Sequence, residues 1–381
     1  MPVLESRATQ AAAPPEPEPG RADAATPRVW LLLDDRPGHT TQVVGLAEAL
    51  GWPYETKPLR FTALNRLSNR LLGASRLSLD AGASAELAPP WPDLVIAMGR
   101  RSAPIARWVK RQSGGHSRLV QFGRKAANVA ADFDLAVTCR HFQLPAHPRR
   151  LDLLLPPTQV TAARLQAAAA RWPDLFAGQA RPRVALIVGG TTAHHRLKPQ
   201  TAEKMAAEAA AFAAQLGGSL TCVTSRRSGA AVEAALRAGA PEAALHCWRR
   251  DQAENPYLGY LALADVLVVT GESESMLAEA ADAAKPLYIY PIPAKPEGWR
   301  ARLSGAVLAR SRRGSALGRF CESLIQRGLV VPPRDLELMH RGMVEAGVAR
   351  FFGDGAPKAA AAPSARYDAL VARVCKLLES D

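Results

Sequence analysis

Short apolar runs recur along this chain, each closed by a polar or glycine-rich turn and followed by a segment of helical length. In the first half the runs lie at 28–33, 94–98, 118–122 and 133–138, and in the second at 183–188, 219–224, 244–248, 266–269 and 287–290. Aliphatic and β-branched runs without alternation are the pattern of strands buried on both faces. Between them the spacing predicts helices at 40–50, 62–72, 103–111, 161–171, 201–216, 230–238, 257–264 and 276–284, several stopped by glycine, as at Gly51 and Gly217-Gly218. Strand–helix alternation means parallel sheets with crossover connections. The pattern restarts after Pro173, Gly178 and Pro182. We therefore expect an α/β protein of two Rossmann-like domains, at 28–172 and 183–350. A disordered Pro-, Ala- and Glu-rich tail at 1–27 precedes them, and a loose connection at 353–364 leads to a final amphipathic helix within 365–381.

A length of 381 residues exceeds one ordinary core and agrees with two domains. The formal net charge of +13, mostly arginine, changes the picture more, because it calls for an anionic partner. Five scattered cysteines, none at zinc spacing, read as buried thiols of a reducing compartment. The start of the chain lacks a basic segment followed by an apolar one, and no window reaches membrane-spanning length. The expectation is a cytoplasmic protein, peripheral on the inner face of the cytoplasmic membrane. Arg60, Arg66, Arg70 and Arg76 flank Leu64, Leu67 and Leu71. That spacing fits either a basic helix on an anionic membrane or an ordinary core-facing helix with a wet side. No nucleic-acid module or aromatic ladder is present, so nucleic acid is not expected as a partner.

Candidate chemistry gathers where strands end, since ligands of open α/β sheets bind outside the carboxyl ends of strands. At 270–280, small polar residues lead from a strand into a helix, whose first N–H groups and dipole favour an anion. Ser273, Ser275 and Met276 line that start, and Glu279 lies one turn in, where a carboxylate can accept from sugar hydroxyls. Ser273 or Ser275 as a simple cap is the plainer alternative. After the first strand comes Asp34-Asp35-Arg36-Pro37-Gly38-His39. There His39 is a candidate general base, and Asp35 either orients it or is itself the base. Gly189 and Gly190 allow close approach of a phosphate, and Ser225 with Arg226 is placed to clamp a diphosphate. The pair His194-His195 lacks further ligands, so no metal site is expected. Asp132 and Asp134, at metal-bridging spacing, carry little weight.

The motif D-D-R-P-G-H-x-x-Q-x-x-G-L-A at 34–47, G-R-x-x-A-P at 99–104, the Gly-Gly strand end, S-R-R at 225–227, N-P-Y at 255–257 (hence Asn255) and S-x-S-M-x-x-E-A at 273–280 together resemble the mitochondrial-fission elongated-mitochondria family. Its plant members are implicated in recruiting the fission dynamin to mitochondria. Glu272 stands where that pattern usually has Asp, and 138–155 matches it poorly. The second half is also similar to GT-B glycosyltransferases, especially the lipid-linked UDP-N-acetylglucosamine transferase of peptidoglycan synthesis. This implies two domains facing across a cleft, with Ser273, Ser275 and Met276 on the phosphates, Glu279 on the ribose, and Gly38 and His39 towards the acceptor. The combined expectation is a metal-independent GT-B-like glycosyltransferase with no cofactor. A nucleotide-diphosphate sugar would be its donor, and a lipid-linked or other cell-envelope molecule its acceptor. The alternatives are a non-enzymatic adaptor on the same scaffold and a sugar-nucleotide epimerase.

Overall fold

The computed structural model describes residues 26–124, 129–252, 254–296, 298–355 and 367–379. Nearly all of the tail expected at 1–27, and most of the connection expected at 353–364, lie outside the described residues.

Two parallel six-stranded sheets form the frame. The first holds β1 (Val29–Leu33), β2 (Tyr54–Pro58), β3 (Leu94–Met98), β4 (Arg118–Phe122), β5 (Leu135–Cys139) and β6 (Arg150–Leu153), in the order β2-β1-β3-β4-β5-β6. The second holds β7 (Arg183–Gly190), β8 (Ser219–Arg227), β9 (Ala244–His246), β10 (Val266–Thr270), β11 (Leu287–Tyr290) and β12 (Arg350–Phe351), in the order β12-β11-β10-β7-β8-β9. The expected class, α/β with two Rossmann-like sheets, is therefore what the chain adopts. The helices are α1 (Pro37–Leu50), α2 (Asn69–Leu72), α3 (Ala103–Gln112), α4 (Ala162–Arg171), α5 (Pro199–Gln215), α6 (Ala230–Gly239), α7 (Tyr257–Leu263), α8 (Glu274–Asp282), α9 (Trp299–Ser311), α10 (Ala316–Gln326), α11 (Leu336–Glu345) and α12 (Asp368–Leu378).

The apolar runs are explained by cores on both faces of each sheet. In β1, Val29 and Leu31 enter one cluster, and Trp30 and Leu32 the other. In β10, Leu267 and Val269 face one core, and Val266 and Val268 the opposite one. Successive side chains of a strand point to opposite faces, so a strand covered on both sides must be apolar throughout. Each sheet reverses its winding direction once, between β1 and β3 in the first and between β7 and β10 in the second. At such a switch point the strand-end loops part and leave a crevice.

Two expectations change. The helix predicted at 62–72 is a 3-10 turn, Ala63–Arg66, and the short α2, because Leu67 is extended and Ser68 caps a new start. Its leucines are not core-facing: Leu64, Leu67 and Leu71 are exposed. Of the cysteines, Cys139, Cys222 and Cys321 are buried, but Cys247 and Cys375 are only partly covered. The last helix, α12, is the final helix expected within 365–381. Its Leu370 and Val374 are buried in the core of the first sheet, beside Val29 and Leu31.

Asp282, at the end of α8, helps to fix these crossings. Its Oδ2 accepts from Thr158 Oγ1 at 2.5 Å and from Tyr367 Oη at 2.8 Å. Thr158 lies on the chain leaving β6, and Tyr367 leads into α12. The same stretch lies on α1, where a Cβ at Gly45 would stand 2.3 Å from the Thr158 carbonyl oxygen. Removing the carboxylate takes the acceptor from the buried Thr158 hydroxyl and one acceptor from Tyr367 Oη, so Asp282→Ala is expected to lose about 2 kcal/mol of unfolding free energy. Urea denaturation measures this, and an unchanged midpoint would refute the role.

Candidate functional site

The first switch point is built around His39. Its Nδ1 donates to Asp34, at 3.0 Å from Oδ1 and 2.9 Å from Oδ2. A carboxylate only accepts, so Nδ1 carries a proton, and in the neutral ring Nε2 is the nitrogen with the lone pair. Burial opposes ionisation of Asp34, but the His39 hydrogen bond and the Arg101 guanidinium hold its carboxyl below the usual range. Arg101 Nη2 donates to Asp34 Oδ2 at 2.9 Å and also reaches Asp35. The expectation that Asp35 orients His39 is therefore corrected. Asp35, one residue further from the strand, is exposed and bound to Arg101, and Asp34, buried against the strand end, holds the ring. The imidazole lies over Gly99, which has φ +88° and where a Cβ would be 2.7 Å from Cε1. Only glycine fits there, in both conformation and space.

The second switch point lies between the ends of β7 and β10. Gly189 and Gly190 are needed for close approach, but what approaches is the protein's own Glu272. Gly190 N donates to Glu272 Oε1 at 2.7 Å, and a Cβ at Gly189 would stand 1.9 Å from the same oxygen. Glu272 is buried, which pushes its carboxyl up, and its Oε2 has no hydrogen-bond partner. The Gly189 N–H is taken by Thr270 Oγ1 at 2.9 Å. The structure thus gives both glycine N–H groups to internal acceptors, contrary to their expected place on a phosphate.

On β8, Ser225 Oγ donates to the Gly189 carbonyl, and Arg226 is exposed. The arginine that reaches the helix start is Arg227, whose Nη2 donates to Ser273 Oγ at 3.0 Å. Adjacent positions of a strand point opposite ways, so only one of the two can face α8. Ser273 is the N-cap residue of α8, with its side chain engaged by Arg227 rather than by the helix. Among the described residues no backbone acceptor takes the N–H of Glu274, Ser275 or Met276. Met276 packs on the second sheet's core. Asn255 Oδ1 accepts from Tyr257 N at 3.1 Å, so it shapes the start of α7 instead of lining the site. The member of that motif that lies towards α8 is Tyr257, whose hydroxyl is near Glu279. Burial pushes the Glu279 carboxyl up to about 7, and the neighbouring Tyr257 hydroxyl opposes this.

The two switch points meet. A Cβ on Gly38 would stand 3.9 Å from Ser275 Oγ, so the start of α1 and the start of α8 face one crevice. Beside it, Cys139, His141 and Glu274 bring three metal-type donor atoms within 4.8 Å of one another. Glu274 lies 3.2 Å from His141 Nε2 and 3.3 Å from Arg334 Nη1. Arg124 also bears on it, and two guanidiniums beside the carboxylate favour an ion-paired knot over a dication. Sequence spacing did not point to this trio, because its members come from different sheets. Asp132 and Asp134 lie elsewhere, paired with Arg107 at 3.0 Å and Lys110 at 2.6 Å.

Comparison with known proteins places this geometry. Mitochondrial fission protein ELM1 of Arabidopsis thaliana is 25% identical over 220 residues, 52% of this chain and 51% of that protein. An uncharacterized protein of Rickettsia prowazekii (strain Madrid E) is 32% identical over 85 residues, 22% of this chain and 24% of its own. The chain thus spans about half the length of the first relative and about a quarter of the second. Among solved structures it is similar to UDP-GlcNAc 2-epimerase of Methanocaldococcus jannaschii, at 8% identity and a TM-score of 0.45 over 93% of this chain and 100% of that one. The model of the family described as Mitochondrial fission ELM1 matches residues 37–332, a span that holds α1 with His39, the second switch point and α8, and the chain therefore belongs to that family.

Proposed function

We propose that the crevice binds a nucleotide-diphosphate sugar and transfers the sugar to a cell-envelope acceptor. The supporting observation is the meeting of Gly38 with Ser275, which sets the free Nε2 of His39 and the open N–H groups of α8 about one space. His39 takes the proton of the acceptor hydroxyl, whose oxygen attacks the anomeric carbon. The bond from that carbon to the diphosphate oxygen breaks, and its electron pair leaves with the diphosphate. Arg227 and the first N–H groups of α8 stabilise the departing charge. Asp34 holds the imidazole and stabilises its charged form, and Glu279 accepts from the ribose hydroxyls. The reaction so drawn needs no metal. The acceptor is lipid-linked, met by a cytoplasmic protein at the inner face of the membrane.

A non-enzymatic adaptor is the second reading. What favours it is Glu272, whose carboxylate already holds the Gly190 N–H that an anion would use.

Calorimetric titration with UDP- and GDP-sugars tests the proposal. Arg227→Ala and Glu279→Ala should each weaken binding about tenfold, the scale of one lost charged hydrogen bond, and Arg226→Ala should have little effect. Absence of binding at millimolar ligand, or equal effects of the two arginines, would overturn it.

Glu279 also gives a pH prediction. Its folded-state pKa of about 7 lies above the ordinary value, so its stabilising contribution is complete at low pH and is lost as pH rises towards 7. Glu279→Gln should melt a few degrees above the parent at pH 8 and close to it at pH 4, by a rough stability-to-temperature conversion. A constant offset at both pH values would contradict the assignment.

A further inference from the structure

Among the described residues ten large apolar side chains are exposed, and nine of them fall in two short stretches. Leu64, Leu67, Leu71 and Leu77 lie in 60–77, before β3. Trp299, Leu303, Leu317, Phe320 and Leu329 lie in and just after the α9–α10 hairpin. In each helix of that hairpin the exposed residues form one stripe. Trp299, Leu303 and Arg310 run along α9, and Leu317 and Phe320 along α10, whose buried side carries Gly318, Cys321 and Ile325. Soluble surfaces scatter such residues singly, so a concentration of this kind marks a docking face.

The charge of these stretches says what docks. Residues 60–77 hold four arginines and no acid, and 299–330 hold seven arginines and one acid, Glu322. Together they supply a net +10 of the chain's +13. All eleven arginines are exposed, and among the described residues none pairs with a carboxylate. An arginine field with leucine, phenylalanine and tryptophan between the charges matches the anionic headgroup layer and acyl boundary of a lipid bilayer. The two stretches join across the sheets: Arg70 Nη2 donates to the Arg327 carbonyl at 2.9 Å, with Leu71 and Leu329 beside the joint. The first stretch is also fastened to the crevice, since Asn69 Nδ2 donates to the Arg100 carbonyl at 2.9 Å and Arg100 Nη1 to that of Leu67 at 2.7 Å. Gly99, which carries the His39 ring, is the residue before Arg100.

We infer that 60–77 and the α9–α10 hairpin form one membrane-docking face, which lays both sheets on an anionic bilayer with the His39 side of the crevice beside the lipid surface. The inference extends the membrane location within the proposed function, but it stands without sugar transfer. Among the described residues no helix is long and apolar enough to cross a membrane, so the contact is peripheral.

Sedimentation with phosphatidylcholine vesicles, with and without phosphatidylglycerol, tests it on the full chain. Binding should need the anionic lipid and fall steeply with salt. Leu303→Glu and Phe320→Glu on the hairpin, and Leu71→Glu on the other stretch, should each lower the partition about tenfold or more. These exposed substitutions should leave melting temperature and nucleotide-sugar titrations unchanged, so failure of docking and failure of the crevice proposal are read separately. Replacing Arg310, Arg312 and Arg313 together with Gln should weaken binding without altering the apolar stripe. Equal binding to neutral vesicles, no binding to either, or a dimer in solution that Phe320→Glu splits would overturn the inference, the last by making the face a contact between copies.

Discussion

A single buried carboxylate ties the two sheets together. Glu274 is the first residue of α8, where the helix dipole favours negative charge. Burial opposes its ionisation, but His141, Arg334 and Arg124 outweigh that and hold the carboxyl below its usual range. His141 belongs to the turn after β5, so the ion-paired knot spans both sheets. The backbone closes around it. Asp335 N donates to the His141 carbonyl at 2.9 Å, and Arg124 Nη1 to that of Pro332 at 2.8 Å. Glu274 is largely withdrawn from water, so loss of a guanidinium beside it leaves a poorly solvated charge. The sheets are therefore locked in one relative position.

That lock determines what the crevice can be. Parallel sheets place all strand ends on one edge, so each contributes its switch-point loops to one side only. Fixing α8 against the end of β5 brings its N-terminal amides opposite the start of α1. The Asp34–His39 pair, supported by Gly99, then faces the Ser273–Met276 turn, with Arg227 behind it. The glycines serve mainly internal approach: Gly99 admits an imidazole and Gly189 a carboxylate. Their job is to bring titratable groups close to backbone, which needs the same freedom as a phosphate loop and looks identical in sequence.

The frame was legible because strands covered on both faces must be apolar throughout, and this signal is local. Leu287–Tyr290 appears over the predicted range, and β10 and α8 within two residues of theirs. Three of the four edge strands were not legible, and only the one at 244–248 was expected: Tyr54–Pro58, for example, is mostly exposed and carries no apolar run. The helices over 299–345 were also missed; α9, the first of them, buries only Leu308 and exposes Trp299 and Leu303. At the strand ends the sequence singled out loops that the structure brings to one crevice, but often the neighbour of the residue that reaches it. Asp35 and Arg226 were chosen where Asp34 meets His39 and Arg227 meets Ser273, and Asn255 where Tyr257 lies towards Glu279. One residue along a strand end reverses the direction of a side chain, and nothing in the local pattern states the phase. Glu274, His141 and Arg124 were unreadable because only the packing of the sheets brings them together.

Adaptor and enzyme make different demands on such a molecule. An adaptor needs a docking face and a rigid frame, and the exposed apolar stretches with the joined sheets would supply both. It has no use for an imidazole held by a buried, ionised aspartate with its other nitrogen free, nor for a half-buried glutamate whose carboxyl is raised to about 7 beside a tyrosine. Both arrangements cost folding free energy that a scaffold could recover with apolar packing. Both also stand where two switch points meet, which is where a ligand of this fold belongs. Costly groups in that place are better explained by chemistry on a bound molecule than by architecture. The Glu272 carboxylate, the feature that favours an adaptor, occupies the Gly190 amide but leaves the start of α8, with Arg227, open to an anion.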